Sequence, residues 1–281
     1  MDWRSLSQDE LEANFNPRIA VPDAETYLED FAHRSEAERA ELQPETDIRY
    51  GDGPRQMLDL FRAPEPNAPL HIYIHGGYWR ALTKEDFSLM APPLQDAGAA
   101  VVIMDYDLCP AVTVDAIVSQ TIDCIAFVAR RAAAFGADPD RLFLSGHSAG
   151  AHLAAMALAH DWTEEGLPAD LVKGAVLVSG IYDPEPVLKL PVNEEVRLTP
   201  EIVTKVNAMA RPPRGDVPIL VAVGGDEPPG WIAQSVDYHT VAGPDAEFMT
   251  VPGANHFSIA FDMADPDHAL HSAMLAQMGL D

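Results

Sequence analysis

The feature that most constrains the fold of this chain is the alternation, from residue 46 onward, of short apolar runs with longer helical patterns. The apolar runs predict strands at 57–61, 70–74, 100–104, 142–145, 175–178, 218–223 and 247–251. The helical patterns between them cover residues 84–97, 112–135 and 149–160. The inner runs are continuously apolar, as strands buried on both faces should be. The alternation therefore predicts an α/β fold with a mostly parallel central sheet and helices on both faces.

Three parts of the chain depart from this alternation. Residues 1–45 are acidic and carry a helical pattern over 23–42, which predicts an N-terminal helical extension before a domain of residues 46–281. No helix separates the predicted strands of residues 46–61, so they are expected to pair as an antiparallel edge. The segment 183–214 is rich in proline and charge, and we interpret it as a small cap segment over one end of the sheet.

Charge and composition exclude several classes of partner. Against 18 Lys and Arg stand 44 Asp and Glu, a net charge of −26, which disfavours nucleic acid and anionic membrane surfaces. A small-molecule substrate is expected instead, and a homo-oligomer is compatible with the sequence. The N-terminus has no secretory pattern, and no apolar window is long enough to cross a membrane, so a cytoplasmic, reduced protein is predicted.

The sequence predicts neither a metal nor an organic cofactor. Two cysteines are too few for a disulfide scaffold or a Cys-rich zinc site. There is no HExxH pattern, no Cys/His pair at ligand spacing and no lysine-containing phosphate loop. Cys109, which follows a predicted strand, is interpreted as buried packing.

The most specific functional signal is the G-x-S-x-G motif GHSAG at residues 146–150. It follows the strand predicted at 142–145 and opens a helix of small residues, which is the strand–turn–helix context that this motif requires. Larger side chains at the flanking positions would clash with the neighbouring helix and strand, so glycines permit a sharp, strained turn. Such a turn exposes the Ser148 hydroxyl at a helix N-terminus, where developing negative charge is favoured. Ser148 is therefore the predicted nucleophile.

A second signal is the run HGGYW at residues 75–79, directly after the strand predicted at 70–74. Backbone N–H groups in a glycine turn can approach a reacting carbonyl closely. One donor from this run and the N–H of Ala149 would stabilise the negative charge of a tetrahedral intermediate.

A serine nucleophile also needs a base, and the base needs an acid that orients it. The expected chain order is serine, acid, histidine, with the acid and the histidine each placed after a strand. Asp226 in PILVAVGGDE and His256 in PGANHF fit this order. Glu227 and Asp183 remain alternatives for the acid.

Other histidines fit the role of the base less well. His147 and His152 lie on the turn or on the helix that follows it, and His160 lies at the end of that helix. The remaining alternatives lack a preceding strand end: His239, His268 and His271.

Together these motifs resemble the α/β-hydrolase superfamily, and more narrowly its kynurenine formamidase (arylformamidase) branch, which is close to the hormone-sensitive-lipase-like esterases. The narrower similarity rests on HGGYWRAL, DYDLCP, GHSAGAHLAAM and SGIYD, and it continues through GGDE and ANHF. It covers residues 45–262, with a weaker echo in NFNPR at 14–18.

The resemblance implies a catalytic triad and an oxyanion hole, made respectively of Ser148, Asp226 and His256 and of Gly76, Gly77 and Ala149. Hormone-sensitive-lipase-like relatives usually carry a further glycine at the position of Tyr78. The tyrosine at this position is similar to that in formamidases. A bulky aromatic residue is expected to narrow the acyl side and to offer a stacking face for an aromatic leaving group. The candidates for an aromatic-lined mouth are Tyr78, Trp79, Tyr182 and Phe257.

Three functions follow as hypotheses. The first is an arylformamidase that cleaves N-formylkynurenine to formate and kynurenine through an acyl-enzyme. The second is a general short-chain carboxylesterase or aryl-amide hydrolase. The third is a non-catalytic small-molecule receptor on the same scaffold, which is disfavoured because all three triad positions are filled.

Overall fold

The computed structural model describes residues 2–280. Its strands are β1 (Glu45–Arg49), β2 (Met57–Phe61), β3 (Ala68–Ile74), β4 (Ala100–Met104), β5 (Ala137–His147), β6 (Val172–Val178), β7 (Ile219–Gly224) and β8 (Glu247–Val251). Its α-helices are α1 (Gln8–Phe15), α2 (Pro17–Ala20), α3 (Ala24–Leu42), α4 (Ala91–Asp96), α5 (Val114–Arg131), α6 (Ala149–Leu158), α7 (Asn193–Val196), α8 (Pro200–Val206), α9 (Pro229–Ala242), α10 (Ser258–Ala264) and α11 (Ala269–Met278). Short 3-10 helices cover Trp3–Ser5, Lys84–Met90, Trp162–Glu165, Glu185–Lys189 and Ala208–Ala210. None of the helices within residues 2–280 has the length and apolar character that a membrane crossing requires.

The eight strands form one sheet in the order β1-β2-β4-β3-β5-β6-β7-β8. β2 is antiparallel to both of its neighbours, β1 and β4, and all other pairs are parallel. The predicted α/β class and the antiparallel edge are thus confirmed. Because the carboxyl ends of parallel strands meet at one edge of a sheet, the loops after β3, β5, β7 and β8 lie together.

The core consists of one apolar cluster on each face of the sheet. Successive side chains of a strand alternate between the clusters, so Ile72 belongs to the cluster under α5 and α6, whereas Tyr73 belongs to the other. The second cluster also takes up Phe31 of α3 and Ile259 of α10. The N-terminal helix α3 is therefore part of the packing of the sheet.

The helix predicted at 84–97 is in fact two segments. The 3-10 helix Lys84–Met90 contains a non-helical residue, Phe87, and α4 begins only at Ala91. Pro92 and Pro93 stand at the start of α4, where their missing N–H groups cost nothing. A continuous helix would need those N–H groups as donors, so the chain begins a new helix at this point.

A buried ion cluster attaches α3 to the sheet. The fully buried carboxylate of Asp59 on β2 binds Arg39 of α3 and, at 3.1 Å, the ammonium of the buried Lys84. Lys84 also reaches the exposed Asp47 at 2.9 Å. Removing one member of such a cluster leaves an uncompensated charge in the interior.

We expect Asp59→Asn to lower the free energy of unfolding by about 3 kcal/mol or more, because Arg39 and Lys84 would lose their shared counter-charge. Urea denaturation followed by circular dichroism measures this. The matched control is Asp47→Asn, whose side chain is 60% exposed and whose loss should cost little. Equal losses in the two variants would contradict the assignment of Asp59 as the central charge.

A buried histidine on β3 makes stability depend on pH. Burial lowers the pKa of His71 to about 3, with a smaller contribution from His271, and its Nε2 contacts Ser145 Oγ at 2.7 Å. Between this value and the pKa of about 6.5 that a solvent-exposed histidine has in the unfolded chain, the unfolded chain binds a proton that the folded chain does not. Stability is therefore complete above the unfolded pKa and is lost as the pH falls towards the folded one.

Between pH 6 and pH 4, we expect the wild type to lose about 1.4 kcal/mol per pH unit more than His71→Gln does. Urea denaturation at pH 6, 5 and 4 gives the two slopes. His33→Gln, at an exposed position on α3, is the control and should keep the wild-type slope. Parallel slopes for the wild type and His71→Gln would show that this histidine is not the titrating group.

Candidate active site

Ser148 lies on a sharp turn between β5 and α6. Its backbone has φ 57° and ψ −120°, a conformation that L-residues rarely adopt, and it caps the N-terminus of α6. The turn fits because α6 approaches β3 closely: a Cβ on Gly150 would lie 1.9 Å from the carbonyl oxygen of Ile74. A glycine is therefore required at this position, which is the reason that the motif itself suggested.

A serine, a histidine and a glutamate are connected in series at the carboxyl edge of the sheet. His256 Nε2 lies 3.1 Å from Ser148 Oγ, and His256 Nδ1 lies 2.7 Å from Glu227 Oε2. Because the carboxylate can only accept, Nδ1 carries the proton and Nε2 is free to accept the serine proton. All three residues are buried. The arrangement can activate a hydroxyl for attack on a carbonyl carbon.

The acid at this position is Glu227, so the prediction of Asp226 is corrected by one residue. The chain turns tightly after β7, and Asp226 donates its backbone N–H to Ala254 O at 3.0 Å while its side chain is exposed. Glu227 instead points into the protein and its longer side chain reaches His256. Its Oε1 accepts from Gly224 N–H at 2.9 Å and from the Ser179 hydroxyl.

Ser179 is a site residue that sequence reasoning missed. It follows β6 with a positive φ of 51°, and its hydroxyl holds the carboxylate that orients the base. The SGIYD run that contains it contributed only to the family resemblance, and no local pattern indicated that its first residue would reach the loop after β7.

Asp183, the other alternative for the acid, does not contact His256 and instead binds residues of its own segment. Its Oδ1 accepts from Glu185 N–H at 3.0 Å and from Asn207 Nδ2 at 2.9 Å, so it ties the start of the segment that we predicted as a cap to the residue that follows α8. Burial raises the pKa of this carboxyl.

The histidines beside the nucleophile support the site from behind. His147 Nε2 donates to the carbonyl oxygen of His256 at 2.8 Å, and burial lowers its pKa well below the usual range. His152 Nε2 contacts Val206 O at 2.7 Å, while Nδ1 accepts from the indole of Trp79 at 3.2 Å. Burial lowers the pKa of His152 to about 4, so both of these rings are neutral near pH 7.

The loop after β3 lies directly over the nucleophile. A Cβ on Gly76 would come within 3.2 Å of Ser148 Cβ, and Gly77 has φ +108° with no room for a side chain against Ala81 O. Within residues 2–280, the N–H groups of Gly77 and Ala149 donate to no protein acceptor. They are therefore available as donors to a charged oxygen bound at Ser148.

A cavity of about 400 Å³ opens over Ser148 and His256. The loop after β3 and Phe257 form one wall, and the other walls come from the N-terminal helices and the segment around α7. These walls contribute Asn16, Pro17, Arg18, Leu28, Phe31, Pro191, Val192, Glu194 and Glu195. The N-terminal extension and the segment 183–214 thus both line the cavity.

Only two of the four predicted aromatic contacts reach this cavity. Tyr78 and Phe257 line it, and the Tyr78 hydroxyl donates to Phe15 O at 2.7 Å. Trp79 and Tyr182 do not, and their prediction as substrate contacts is wrong: both are fully buried. Trp79 packs edge-on against His152, and Tyr182 stacks on Tyr238 with ring centroids 4.1 Å apart.

Several cavity residues were not predicted. Arg80, Ala81, Leu82 and Phe87 lie just beyond the HGGYW run, inside or after the HGGYWRAL stretch. The N-terminal contributors include residues of the NFNPR echo, which was a signal that could have been followed. No group of three or more His, Cys, Asp or Glu side chains in residues 2–280 is arranged to hold a metal ion.

Comparison with known proteins agrees with this architecture. The family model described as BD-FAE matches residues 58–173. Kynurenine formamidases of Danio rerio and Salmo salar are each 34% identical over 294 residues, covering 99% of this chain and 99% and 98% of their own.

Solved structures show the same fold. A protein of Silicibacter sp. TM1040, named as a candidate thioesterase, superimposes with a TM-score of 0.83 at 28% identity, over 93% of this chain and 98% of its own. The metagenomic carboxylesterase EstE1 superimposes with a TM-score of 0.67 at 20% identity, over 93% of this chain and 96% of its own. The chain is therefore a hydrolase of the α/β-hydrolase fold, and it belongs to the kynurenine formamidase family.

Proposed function

We propose that this protein is a serine hydrolase that cleaves an arylformamide, with N-formylkynurenine as the best candidate substrate. The observation that carries the proposal is the series Ser148–His256–Glu227, placed beneath two free backbone donors. The full-length similarity to kynurenine formamidases supports the choice of substrate.

The geometry assigns a role to each residue in the proposed reaction. Ser148 Oγ attacks the formyl carbon while His256 Nε2 takes the hydroxyl proton. The backbone amides of Gly77 and Ala149 stabilise the oxyanion, and Gly76 lets the loop approach it closely. His256 then passes that proton to the departing aniline nitrogen, and the C–N bond breaks. Water attacks the formyl-enzyme by the same route, releasing formate and restoring the serine. Glu227 stabilises the imidazolium that forms in each half-reaction.

The acyl side of the site favours a small acyl group. Tyr78 is held in place by its bond to Phe15 O and by an edge-on contact with Trp231, with ring centroids 6.5 Å apart. Because Tyr78 follows Gly77 directly and lines the cavity, a fixed ring there would restrict the space for the acyl group. A formyl group carries only hydrogen there, so it needs the least room.

A short-chain ester is the second candidate substrate. Isoprenylcysteine alpha-carbonyl methylesterase of Arabidopsis thaliana is 39% identical over 121 residues, which are 42% of this chain and 28% of its own, and this partial similarity favours ester cleavage. The same serine chemistry serves both reactions. A difference between substrates is therefore a difference in kcat/KM.

The predicted compartment of the protein belongs to this proposal as well. Both cysteines are free and buried, and burial raises the pKa of Cys109 to about 11, which fits a protein made for a reducing, cytoplasmic environment. Self-association stays a prediction.

We expect Glu227→Gln to lower kcat by about 10⁴-fold, because the amide cannot stabilise the imidazolium and favours the wrong tautomer. The neighbouring Asp226→Asn is the matched control and should stay within about threefold of wild type, since its side chain is exposed. Steady-state hydrolysis of one reactive ester measures kcat for both variants. A larger loss in Asp226→Asn than in Glu227→Gln would restore Asp226 as the acid.

For the substrate, we expect kcat/KM for N-formyl-L-kynurenine of about 10⁴ M⁻¹s⁻¹ or above, the range of enzymes on their own substrates. p-Nitrophenyl acetate and butyrate are the comparison, and Ser148→Ala is the blank. Brisk ester turnover with a formamide value orders of magnitude lower would move the substrate to an ester. Equal rates in Ser148→Ala and wild type for every substrate would support the receptor hypothesis.

A further inference from the structure

Arg80 lines the catalytic cavity and is poorly satisfied by the protein. Its side chain is only 26% exposed, and Nη1 bonds Glu195 Oε2 at 3.1 Å. Nε is buried without an acceptor among residues 2–280, whereas Nη2 makes no hydrogen bond within the same residues but keeps exposed surface. A guanidinium that is largely removed from water normally has its N–H groups engaged. The unused donors of Arg80 therefore indicate an anionic acceptor that the protein itself does not supply.

The formal charges around this cavity balance. Arg18 and Arg80 contribute two positive charges, and Glu194 and Glu195 contribute two negative ones. Arg18 is paired with Glu25 outside the cavity lining, whereas Glu194 is exposed and has no ion-pair partner within the described chain. A cavity with one underused cation and one unpaired carboxylate complements a molecule that carries both charges. An uncharged ester leaves both unmatched.

We infer that Arg80 binds the carboxylate of a zwitterionic amino-acid substrate and that Glu194 lies beside it to receive the ammonium. This inference rests on the proposed function, because it assigns the amino-acid end of the substrate whose formyl end is at Ser148. Guanidinium and carboxylate match as planar, often bidentate partners, so Arg80 would set specificity as well as affinity. Glu195, bound to Nη1, would orient the guanidinium.

The location of Arg80 explains how recognition and reaction are linked. It lies three residues after Gly77, and its backbone N–H donates to Gly77 O at 3.1 Å. The group that binds the carboxylate is thus attached to the turn that supplies an oxyanion donor. A substrate held at its carboxylate has its other end positioned along the same loop, towards Ser148.

The test measures competitive inhibition of p-nitrophenyl acetate hydrolysis, so it does not require formamide turnover. The probes are L-kynurenine, its decarboxylated analogue kynurenamine, and its deaminated analogue 4-(2-aminophenyl)-4-oxobutanoate. Wild type should bind kynurenine about 10- to 100-fold more tightly than kynurenamine, the range for a hydrogen bond to a charged group. Arg80→Gln should abolish that preference, and Arg80→Lys should keep only part of it.

Matched variants separate the two charges. Glu194→Gln should reduce the preference for kynurenine over the deaminated analogue and leave the preference over kynurenamine in place. Arg211→Gln removes the same charge at an exposed position away from the cavity and should behave as wild type. Thermal unfolding of each variant shows whether it is folded, and Arg80→Lys serves if Arg80→Gln is not.

Failure of the inference and failure of the proposed function give different results. Equal inhibition of wild type by kynurenine and kynurenamine, or an undiminished preference in Arg80→Gln, would overturn the role of Arg80. Absence of N-formyl-L-kynurenine hydrolysis by wild type would overturn the proposed function alone. If the preference for carboxylate persists in that case, Arg80 selects a different acylated amino acid.

Discussion

The close approach of α6 to β3 is the contact on which the rest of the site depends. With only hydrogen at Gly150, the helix can lie against the carbonyl oxygen of Ile74. This proximity forces the chain between β5 and α6 through the strained conformation of Ser148. It also brings the start of the helix next to the loop that follows β3, where a Cβ on Gly76 would come within 3.2 Å of Ser148 Cβ. Strain at the nucleophile is maintained because the surrounding sheet and helix leave no relaxed alternative.

The N-terminal extension is a wall of the site rather than an appendage. The Tyr78 hydroxyl donates to Phe15 O, and Asn14 Oδ1 accepts from Gly230 N–H at 3.0 Å, so the end of α1 joins the oxyanion loop to α9. Farther along, the cluster around Asp59 anchors α3 to the sheet. The similarity to kynurenine formamidases includes this extension, since it covers 99% of the chain.

Charge is distributed in the site according to what each group must do. Burial keeps His147 and His152, which flank the nucleophile, uncharged. Glu227 faces His256 with one oxygen and binds Ser179 and Gly224 with the other. Opposite charges stand instead at the cavity walls, on Arg80 and on Glu194 and Glu195. The charged side chains of the walls are thus distinct from the serine, histidine and glutamate that are connected in series beneath them.

The sequence alone predicted the sheet, and it singled out Ser148, His256 and the loop after β3, which the structure brings together, because each depends on local rules. Apolar runs indicate buried strands, and a G-x-S-x-G turn between a strand and a helix is typical of a nucleophilic serine. The acid was misplaced by one residue, because in GGDE only the path of the turn after β7 decides which carboxylate faces inward. Trp79 and Tyr182 were misassigned for a similar reason: an aromatic side chain fits the core as well as a cavity, and only the packing against His152 and Tyr238 distinguishes them. The cavity walls come from residues 16–31 and 191–195, far apart in the chain from Ser148, and their meeting is a property of the tertiary structure.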